Sequence, residues 1–393
     1  MILTHCAVCA TELGLSLGKK CGRCSTRYCG PECQVQHWKE GGHDKLCKSI
    51  KKAGGAEQYN ANKRYTEALA VAVEACADDT KGQTCYICTQ ALHWKTKEGL
   101  VRGCSCRGTA GFAHVSCLAE EAKILFAEAE ENNLDFKVQN KRIARWYRCS
   151  LCEQEYHGVV ACALGWACWK TYLGRPEVEV PRRMAMTTLG NGLCEANRHE
   201  DALSVREAVL ATLQRIGAHA DMLMAMGNLA NSYSALGQFE QALRLRREVY
   251  SKGLILNGEE HKQTVINVIC YAATLIDLRR FEEAKSLLRK SLPMAQRVLG
   301  ESHEHTLRMK WHYGHALHKD EGATLDDLRE AEGTLAETAQ TARRVLGNSH
   351  PTARWVEREL IMARAALRAR EALEPSDVTS IREAMGAMAP GDA

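Results

Sequence analysis

The sequence has 393 residues, of which 45% are hydrophobic and 25% are charged, and its formal net charge is +4. At about 150 residues per domain this length predicts two or three domains, and the composition excludes a disordered or collagen-like chain. So small a net charge argues against a general nucleic-acid binder. The unusual feature is the presence of 19 cysteines.

The sequence shows no sign of a secretory signal or a membrane-spanning segment. Residues 1–9 lack a basic start followed by an apolar run. The longest nearly apolar stretch is residues 159–169, which is short for a spanning helix of about 20 residues. We therefore expect an intracellular protein, cytoplasmic or nuclear, whose reduced cysteines bind metal rather than form disulfides.

The first cysteine-rich window, residues 6–47, contains four closely spaced pairs of metal-ligand residues. Two thiols separated by two residues, or a histidine and a cysteine one helical turn apart, point toward one ion. Zinc takes four such ligands in a tetrahedron, so the window predicts two zinc ions. The window also has few large apolar residues, so metal binding must supply the folding free energy, about 10 kcal/mol per site. The pairs are Cys6/Cys9, Cys21/Cys24, Cys29/Cys33 and His43/Cys47.

These pairs, with Tyr28 before Cys29, Gln34 after Cys33, and Trp38, resemble a MYND finger, which is a protein-interaction module. The resemblance implies interleaved pairing of the ligands. One ion would be held by Cys6, Cys9, Cys29 and Cys33, and the other by Cys21, Cys24, His43 and Cys47.

The MYND resemblance also implies a groove beside Gln34 and Trp38 that binds short proline-containing peptides. An alternative for Trp38 is simple packing over the zinc-binding turns. The interval before His43 is longer than is usual in the family, so His37 stays an alternative ligand. We favour His43 because only this histidine lies four residues before Cys47.

The second window, residues 85–152, again contains eight ligands and predicts two more zinc ions. One residue separates Cys104 from Cys106, and seven residues separate Cys106 from His114. With the segments 103–109 and 114–118, these intervals resemble the RING-CH (RING-variant) family. A PHD finger has the same ligand order but typically a shorter gap before its histidine. The resemblance implies cross-bracing, with Cys85, Cys88, His114 and Cys117 at one ion and Cys104, Cys106, Cys149 and Cys152 at the other.

RING-CH domains are known as ubiquitin-protein ligases, so the resemblance implies a mechanism. Such a ligase contributes no catalytic nucleophile; it holds a ubiquitin-conjugating enzyme close to a substrate lysine. The family's docking contact is the apolar residue between the first two cysteines, here Ile87. Trp146 and Leu151 occupy matching apolar positions near the last pair.

Three departures from the family leave catalysis open. Many active ligases carry a basic residue after the last cysteine, whereas this chain has Glu153. The interval between Cys117 and Cys149 is long, and residues 119–132 in it predict an inserted acidic helix. Most RING-CH ligases also lie in membranes, and this sequence predicts no anchor. The alternative is a RING-like fold that only binds a partner.

Outside the fingers, residues 57–76 predict a single helix that is either a spacer or packed on a finger. Cys162 and Cys168 lack two further paired ligands, so we expect them to pack as small core residues. Four zinc ions and fourteen thiolates would change the formal charge from +4 to −2, which again predicts no nucleic-acid partner.

Residues 184–374 are predicted to be helical and repeat themselves. Two copies carry a small residue and an alanine twelve positions apart, Ala230/Ala242 and Ala272/Ala284. A weaker copy precedes them at residues 189–202, and a looser one begins at residue 313 and is interrupted near residues 320–324. This spacing is typical of tetratricopeptide (TPR) repeats, in which two antiparallel helices meet at small side chains.

The joints between repeats carry a Leu-Gly-x2-His pattern. This pattern resembles the repeats of kinesin light chains. The repeats of that family bind peptides on a concave face. We interpret the joint histidines, His261, His303 and His350, as turn residues rather than catalytic groups. The joint glycines are expected to end one helix, and polar residues after them to cap the next. A helix over residues 352–373 would close the array, and a short one over 376–388 would follow.

The sequence thus predicts a mainly α protein in which two small cross-braced zinc fingers precede an α-solenoid of TPR-like hairpins. The leading function is a zinc-dependent RING-type ubiquitin ligase whose MYND finger and TPR groove select protein substrates. The alternative is a non-enzymatic adaptor that binds peptides. A PHD-like reader of chromatin lacks a clear aromatic cage. The predicted segments are 1–50 (MYND-like finger), 51–84 (helical linker), 85–157 (RING-CH-like finger), 158–183 (junction), 184–374 (repeats) and 375–393 (tail).

Overall fold

The computed structural model describes residues 6–11, 13, 17–347 and 350–386. It divides into two compact units, Met1–Leu236 and Gly237–Ala393. Both units are mainly helical, which confirms the predicted fold class. A short antiparallel hairpin, β1 (Lys19–Lys20) with β2 (Arg27–Tyr28), lies in the first unit. Within the described ranges, none of the helices is both long and apolar enough to cross a bilayer.

The helices of the first unit flank the two cysteine-rich regions and then form consecutive hairpins. They are α1 (Pro31–Lys39), α2 (His43–Lys52), α3 (Ala56–Ala75), α4 (Val115–Glu131), α5 (Phe136–Ile143), α6 (Gly158–Tyr172), α7 (Val180–Glu195), α8 (His199–Ile216) and α9 (His219–Ala235), with a 3-10 turn at Ala144–Trp146. The second unit contains α10 (Phe239–Asn257), α11 (Lys262–Asp277), α12 (Phe281–Leu299), α13 (Glu304–Lys319), α14 (Leu325–Leu346) and α15 (Pro351–Gly386).

Helix α3 is not a free spacer, because it packs against α6. Ala61, Tyr65, Ala68 and Ala72 recur at helical spacing and are all buried, which gives α3 one apolar face. The phenol of Tyr65 also lies under the ammonium of Lys170, 3.5 Å from the ring centre. The linker helix is therefore part of the core of the first unit.

Helix α6 lies at the centre of that core and is apolar on nearly all sides, as expected of a fully enclosed helix. It accounts for the apolar stretch at residues 159–169. Cys162 and Cys168 are both buried in it, which confirms that they pack as small core residues, and burial raises the pKa of both thiols. A Cβ on Gly192 of α7 would lie 2.5 Å from the carbonyl oxygen of Ala161. The close approach of α6 and α7 therefore requires glycine at position 192.

The repeat helices pack as consecutive pairs, α7 with α8, α11 with α12, and α13 with α14. Ala272 and Ala284, predicted to lie at a helix–helix contact, are both fully buried. In the looser copy, a Cβ on Gly314 would lie 2.6 Å from Cγ of Leu335, so the same small-residue contact is present. The interrupting segment is held by Lys285, whose Nζ donates to Asp320 at 2.9 Å.

The joint histidines are helix caps. In each, Nδ1 accepts a hydrogen bond from the backbone N–H two residues later, at 3.1 Å for His261 and His303 and 3.2 Å for His350. Polar residues were expected in this role; Asn348 and Ser349 of the third joint lie outside the described residues. Gly258, Gly300 and Gly347 follow the preceding helices with positive φ, as predicted for helix ends.

The last helix differs from the prediction. It was expected to end at residue 373, but α15 continues through Pro375 to Gly386, although Pro375 and the Ser-Asp-Val-Thr-Ser run after it are poor helix formers. Residues 387 and 388 of the predicted short helix lie outside the described part of the chain.

Candidate metal centres

The sixteen predicted ligands lie in four groups of four, and the groups are those implied by interleaved pairing in each finger. Within each group, the ligand atoms all lie within 4.8 Å of one another. We refer to them as sites 1 to 4. They are site 1 (Cys6, Cys9, Cys29, Cys33), site 2 (Cys21, Cys24, His43, Cys47), site 3 (Cys85, Cys88, His114, Cys117) and site 4 (Cys104, Cys106, Cys149, Cys152).

The spacing of the ligand atoms fits a tetrahedral zinc ion. Zinc–sulfur bonds of about 2.3 Å place two thiolate sulfurs about 3.8 Å apart, and a sulfur and an imidazole nitrogen about 3.6 Å apart. The Sγ–Sγ distance is 3.4 Å for Cys9 and Cys29, 3.9 Å for Cys21 and Cys47, and 3.8 Å for Cys106 and Cys149. The ligand sets therefore match the size of the ion as well as its preference for sulfur and nitrogen.

Four copies of one backbone turn present the C-x2-C pairs. In each, the N–H four residues after the first cysteine donates to that cysteine's carbonyl oxygen, at 2.8 to 3.2 Å. The residue after the second cysteine has a φ of 56° to 61° in all four turns. These residues are Ala10, Ser25, Thr89 and Glu153. A left-handed conformation is unusual for side chains of this kind, so its fourfold recurrence indicates that the thiol geometry determines the turn.

The pKa shifts of the clustered thiols also favour binding of a cation among them. Hydrogen bonds from Thr11 and neighbouring thiols lower the pKa of Cys9 to about 6, whereas the hydrogen bond with Cys29 raises the pKa of Cys33 to about 12. Burial raises the pKa of Cys104 to about 11. One thiolate can thus form easily, but further thiolates repel it. A divalent ion removes this conflict, because it neutralises the charges and binds the deprotonated thiols.

The structure places His43, rather than His37, in site 2. His43 Nε2 lies 3.3 Å from Sγ of Cys24, while His37 Nδ1 lies 3.0 Å from the hydroxyl of the buried Tyr28. The centres of the two imidazole rings are 4.9 Å apart and the rings are tilted by 33°, so they are in contact, but only His43 reaches the thiols. His43 begins α2, and the helical turn brings Cys47 onto the same face.

Exchange of each histidine for glutamine separates these roles. We expect His43→Gln to lose one zinc equivalent relative to the parent chain, because an amide is a poor zinc ligand. His37→Gln should keep its metal, since glutamine can still hydrogen-bond to Tyr28. Zinc analysis of both purified variants is the measurement, and metal loss from the His37 variant alone would reverse the assignment.

In site 3, the backbone selects which nitrogen of His114 faces the thiols. Its Nε2 lies 3.4 Å from the carbonyl oxygen of Ala91, and its Nδ1 lies 3.3 Å from Sγ of Cys88. A hydrogen bond from Nε2 to a carbonyl holds the tautomer in which Nδ1 is free to bind metal. His114 is fully buried and immediately precedes α4, which carries Cys117 in its first turn.

A polar cluster beside site 3 was not predicted from the sequence. Residues 93–98 form a turn with the same backbone hydrogen bonds as the C-x2-C turns but without cysteine. The carboxylate of buried Glu98 accepts from the hydroxyl of Thr96 at 3.0 Å, from the backbone N–H of Ser116 at 2.7 Å and from its hydroxyl at 2.8 Å. Glu98 thereby caps the first turn of α4 between two ligands of site 3.

The three predicted docking residues of the second finger have different surroundings. Ile87 is 39% exposed and Leu151 is 51% exposed, and each donates its backbone N–H to a ligand sulfur at 3.4 Å. Trp146 is only 1% exposed and packs edge-on against Tyr172. The prediction that Trp146 is a docking contact is therefore wrong, because α6 covers the position that the sequence pattern assigned to the surface.

In the first finger, Gln34 and Trp38 lie one turn apart on α1, none of whose residues is buried. The indole of Trp38 packs edge-on against His43 at 5.7 Å but is still 42% exposed. Trp38 therefore packs on a zinc-binding histidine and still leaves part of its indole open to a peptide.

Arg145 clamps the last zinc-binding turn of the second finger. It donates from Nη1 to the carbonyl oxygen of Cys149 at 3.0 Å and from Nη2 to the carboxylate of Glu153 at 2.7 Å. This hydrogen bond lowers the pKa of Glu153. Arg145 follows α5, so the long interval between Cys117 and Cys149 supplies the clamp.

Comparisons with known families agree with this arrangement. Residues 6–47 match the MYND finger, and residues 85–134 match the RING-variant domain. Residues 182–251 and 272–305 match tetratricopeptide repeats. No curated protein matches the chain.

Among solved structures, the chain is similar to a Podospora anserina protein described as a kinesin light chain with nearly identical TPR-like repeats. The identity is 17%, the match covers 59% of this chain and 97% of that one, and the TM-score is 0.40. A second similar structure is BtubC (BKLC) from P. vanneervenii, with 14% identity, coverage of 71% and 93%, and a TM-score of 0.42. The family matches, rather than these structures, show that segments of the chain correspond to a MYND finger, a RING-variant domain and tetratricopeptide repeats, which are zinc-finger and protein-interaction modules.

Proposed function

We propose that this chain is a RING-type ubiquitin-protein ligase that holds four zinc ions, two in each finger. The sixteen ligands of sites 1 to 4 would supply fourteen thiolates and two imidazoles. The zinc ions act structurally, because four protein ligands leave no open position for a substrate. The chain then contributes no nucleophile and acts by holding two reactants together.

The arrangement of Ile87 and Leu151 carries this proposal. Each is the third residue of a C-x2-C turn, and each has its N–H tied to the sulfur of the first cysteine. Their exposed aliphatic side chains are thus held on two equivalent, rigid turns at different sites. A pair of exposed apolar residues on rigid turns is suited to docking a folded enzyme, since little backbone entropy is lost on binding. The proposed occupant is a ubiquitin-conjugating enzyme.

Substrate selection is assigned to the other modules. The exposed face of α1 with Gln34 and Trp38 would bind short peptides, and the TPR hairpins would supply a second peptide site. Both kinds of module bind proteins in general, so a lysine-bearing substrate could be tethered beside the docked enzyme.

Self-ubiquitination is the direct test. The zinc-loaded chain, incubated with activating enzyme, conjugating enzymes, ubiquitin and ATP, should label itself. Ile87→Ala should slow labelling by about five- to thirtyfold, because truncating an anchor contact costs about 1 to 2 kcal/mol. Ile124→Ala is the matched control, since Ile124 is a similarly exposed isoleucine on α4 outside the zinc-binding turns. Equal labelling by both variants would contradict the docking role of Ile87.

A non-enzymatic adaptor is the second candidate, and Glu153 favours it. Its acidic side chain stands where many active ligases carry a basic residue, and Arg145 holds it in an ion pair. An adaptor would bind peptides yet fail to bind any conjugating enzyme in a pull-down or chemical-shift assay.

A further inference from the structure

A cavity of about 340 Å³ lies in the first unit, where the end of the second finger meets the first repeat helices. Trp146 and Tyr156 of the finger form one wall, and side chains of α7 form another. Met184 and Met224 add flexible apolar surface. The cavity is therefore large enough for a peptide side chain with part of its backbone, and much of its lining is apolar.

The polar group that stands out in this cavity is Arg206 of α8, which is only 7% exposed. Its Nη1 donates to the hydroxyl of Ser232 at 2.8 Å, and its Nη2 donates to the amide oxygen of Asn191 at 3.1 Å. Its Nε is buried and has no hydrogen-bond partner in the described part of the chain. The thiol of Cys194 in the cavity wall also interacts with this guanidinium, and within the described ranges no carboxylate forms an ion pair with Arg206.

Such an arrangement is costly unless an anion completes it. Buried charges are nearly always paired, because desolvating an ion costs several kcal/mol. Burial lowers the pKa of Arg206, yet a guanidinium stays protonated at neutral pH. The fold also makes room for this side chain: a Cβ on Gly190 would lie 3.3 Å from its Cγ. The cation is thus built into the helix pair without a carboxylate counter-ion.

We infer that this cavity binds a peptide carboxylate, with Arg206 as its counter-ion and the two methionines against a neighbouring apolar side chain. A guanidinium with an open N–H matches the geometry of a carboxylate. The exposed Glu155 and Glu195 at the cavity repel any anion, but they repel a doubly charged phosphate about twice as strongly as a singly charged carboxylate, which favours the carboxylate. The inference rests on the proposed peptide-binding role of the repeats, and it specifies the ligand chemistry of their first hairpin.

Labelled peptides test the inference on the full, zinc-loaded chain. Four probes share the sequence fluorescein-Gly-Gly-X-Leu: a free C-terminus with X as alanine, and C-terminal amides with X as alanine, glutamate or phosphoserine. Fluorescence polarisation should show binding of the free-carboxylate or glutamate probe and at least about tenfold weaker binding of the alanine amide. The free-carboxylate and glutamate probes separate a C-terminal from a side-chain carboxylate. Equal binding of the alanine amide, tightest binding of phosphoserine, or binding of none would overturn the inference.

Arg206→Gln should weaken binding of the preferred probe about tenfold or more, because it removes the counter-ion. Arg215→Gln is the matched control, since Arg215 lies on the same helix but does not line the cavity. Unchanged binding by Arg206→Gln would also overturn the inference.

A measurement on the unmodified chain tests the inference even if the Arg206→Gln variant fails to fold. The Arg206 Nε–H resonance, identified by its absence from Arg206→Lys, should shift on addition of sodium acetate but not of sodium chloride at equal ionic strength. A resonance insensitive to acetate would count against the carboxylate site. None of these readouts involves ubiquitin. A chain that labels itself but binds no peptide would therefore contradict the carboxylate site and leave the proposed ligase activity standing.

Discussion

Removal of zinc is expected to unfold the first finger while the helices around α6 stay folded. The buried core of this finger consists mainly of ligand cysteines, with Leu13, Tyr28 and Ile50 as its larger apolar members. That much apolar area cannot offset the conformational entropy of about fifty ordered residues. Each zinc site contributes about 10 kcal/mol in structural fingers, so loss of two ions exceeds the stability of an ordinary domain.

The second finger is expected to respond differently, because it shares a core with helices that contain no metal ligand. Phe112, Val115 and Trp146 belong to the same buried cluster as Trp166 of α6 and Leu189 of α7. Stripping zinc should therefore loosen the turns of sites 3 and 4 but leave α6 and α7 helical.

Hydrogen exchange with and without a chelator measures both responses. Amide protection should disappear over α1 and α2 and persist over α6 to α8. The parent chain with excess zinc restored is the control. Retained protection in α1 and α2 without metal would contradict this prediction, and so would a uniform loss of protection through α8.

Replacement of Glu98 is expected to have the second-largest effect. In Glu98→Ala, the backbone N–H and hydroxyl of half-buried Ser116 lose their acceptor, while the hydroxyl of exposed Thr96 can turn to water. Unsatisfied buried donors cost about 1 to 3 kcal/mol each, so we expect a loss of about 3 kcal/mol in the free energy of unfolding. Ser116 lies between His114 and Cys117, so zinc affinity at site 3 should also fall, by about tenfold.

Glu120→Ala provides the matched control, since Glu120 is an exposed glutamate on the same helix, α4. Denaturant unfolding and competition with a zinc chelator report the two quantities separately. If Glu98→Ala unfolded at the same denaturant concentration as Glu120→Ala, the proposed capping role would have to be abandoned.

Features that depend on residues close together along the chain were predicted from the sequence. Pairs of ligands separated by one to three residues predicted two ions in each finger, and the family resemblances implied how these pairs combine into four groups. The twelve-residue interval between Ala272 and Ala284 predicted the helix pairs. Local chemistry also favoured His43 over His37, because only His43 lies one helical turn before Cys47.

Features that depend on distant packing could not be predicted in this way. Glu98 caps a helix that begins seventeen residues later, and no local pattern indicates this contact. Trp146 was expected at the surface because its position in the finger matched a docking residue, but α6, which follows the finger, covers it. The cavity cation Arg206 becomes visible only when α7, α8 and the finger are assembled. The histidine caps had a signal, their recurrence in every joint, but histidine is an uncommon capping residue.

Zinc content and ligation, measured together on the purified full chain, test the central claim most directly. The account predicts four zinc ions per chain, and X-ray absorption should report an average of about 3.5 sulfur and 0.5 nitrogen ligands per ion, at distances of about 2.3 and 2.0 Å. Two or fewer ions per chain, or a first shell dominated by oxygen, would contradict it.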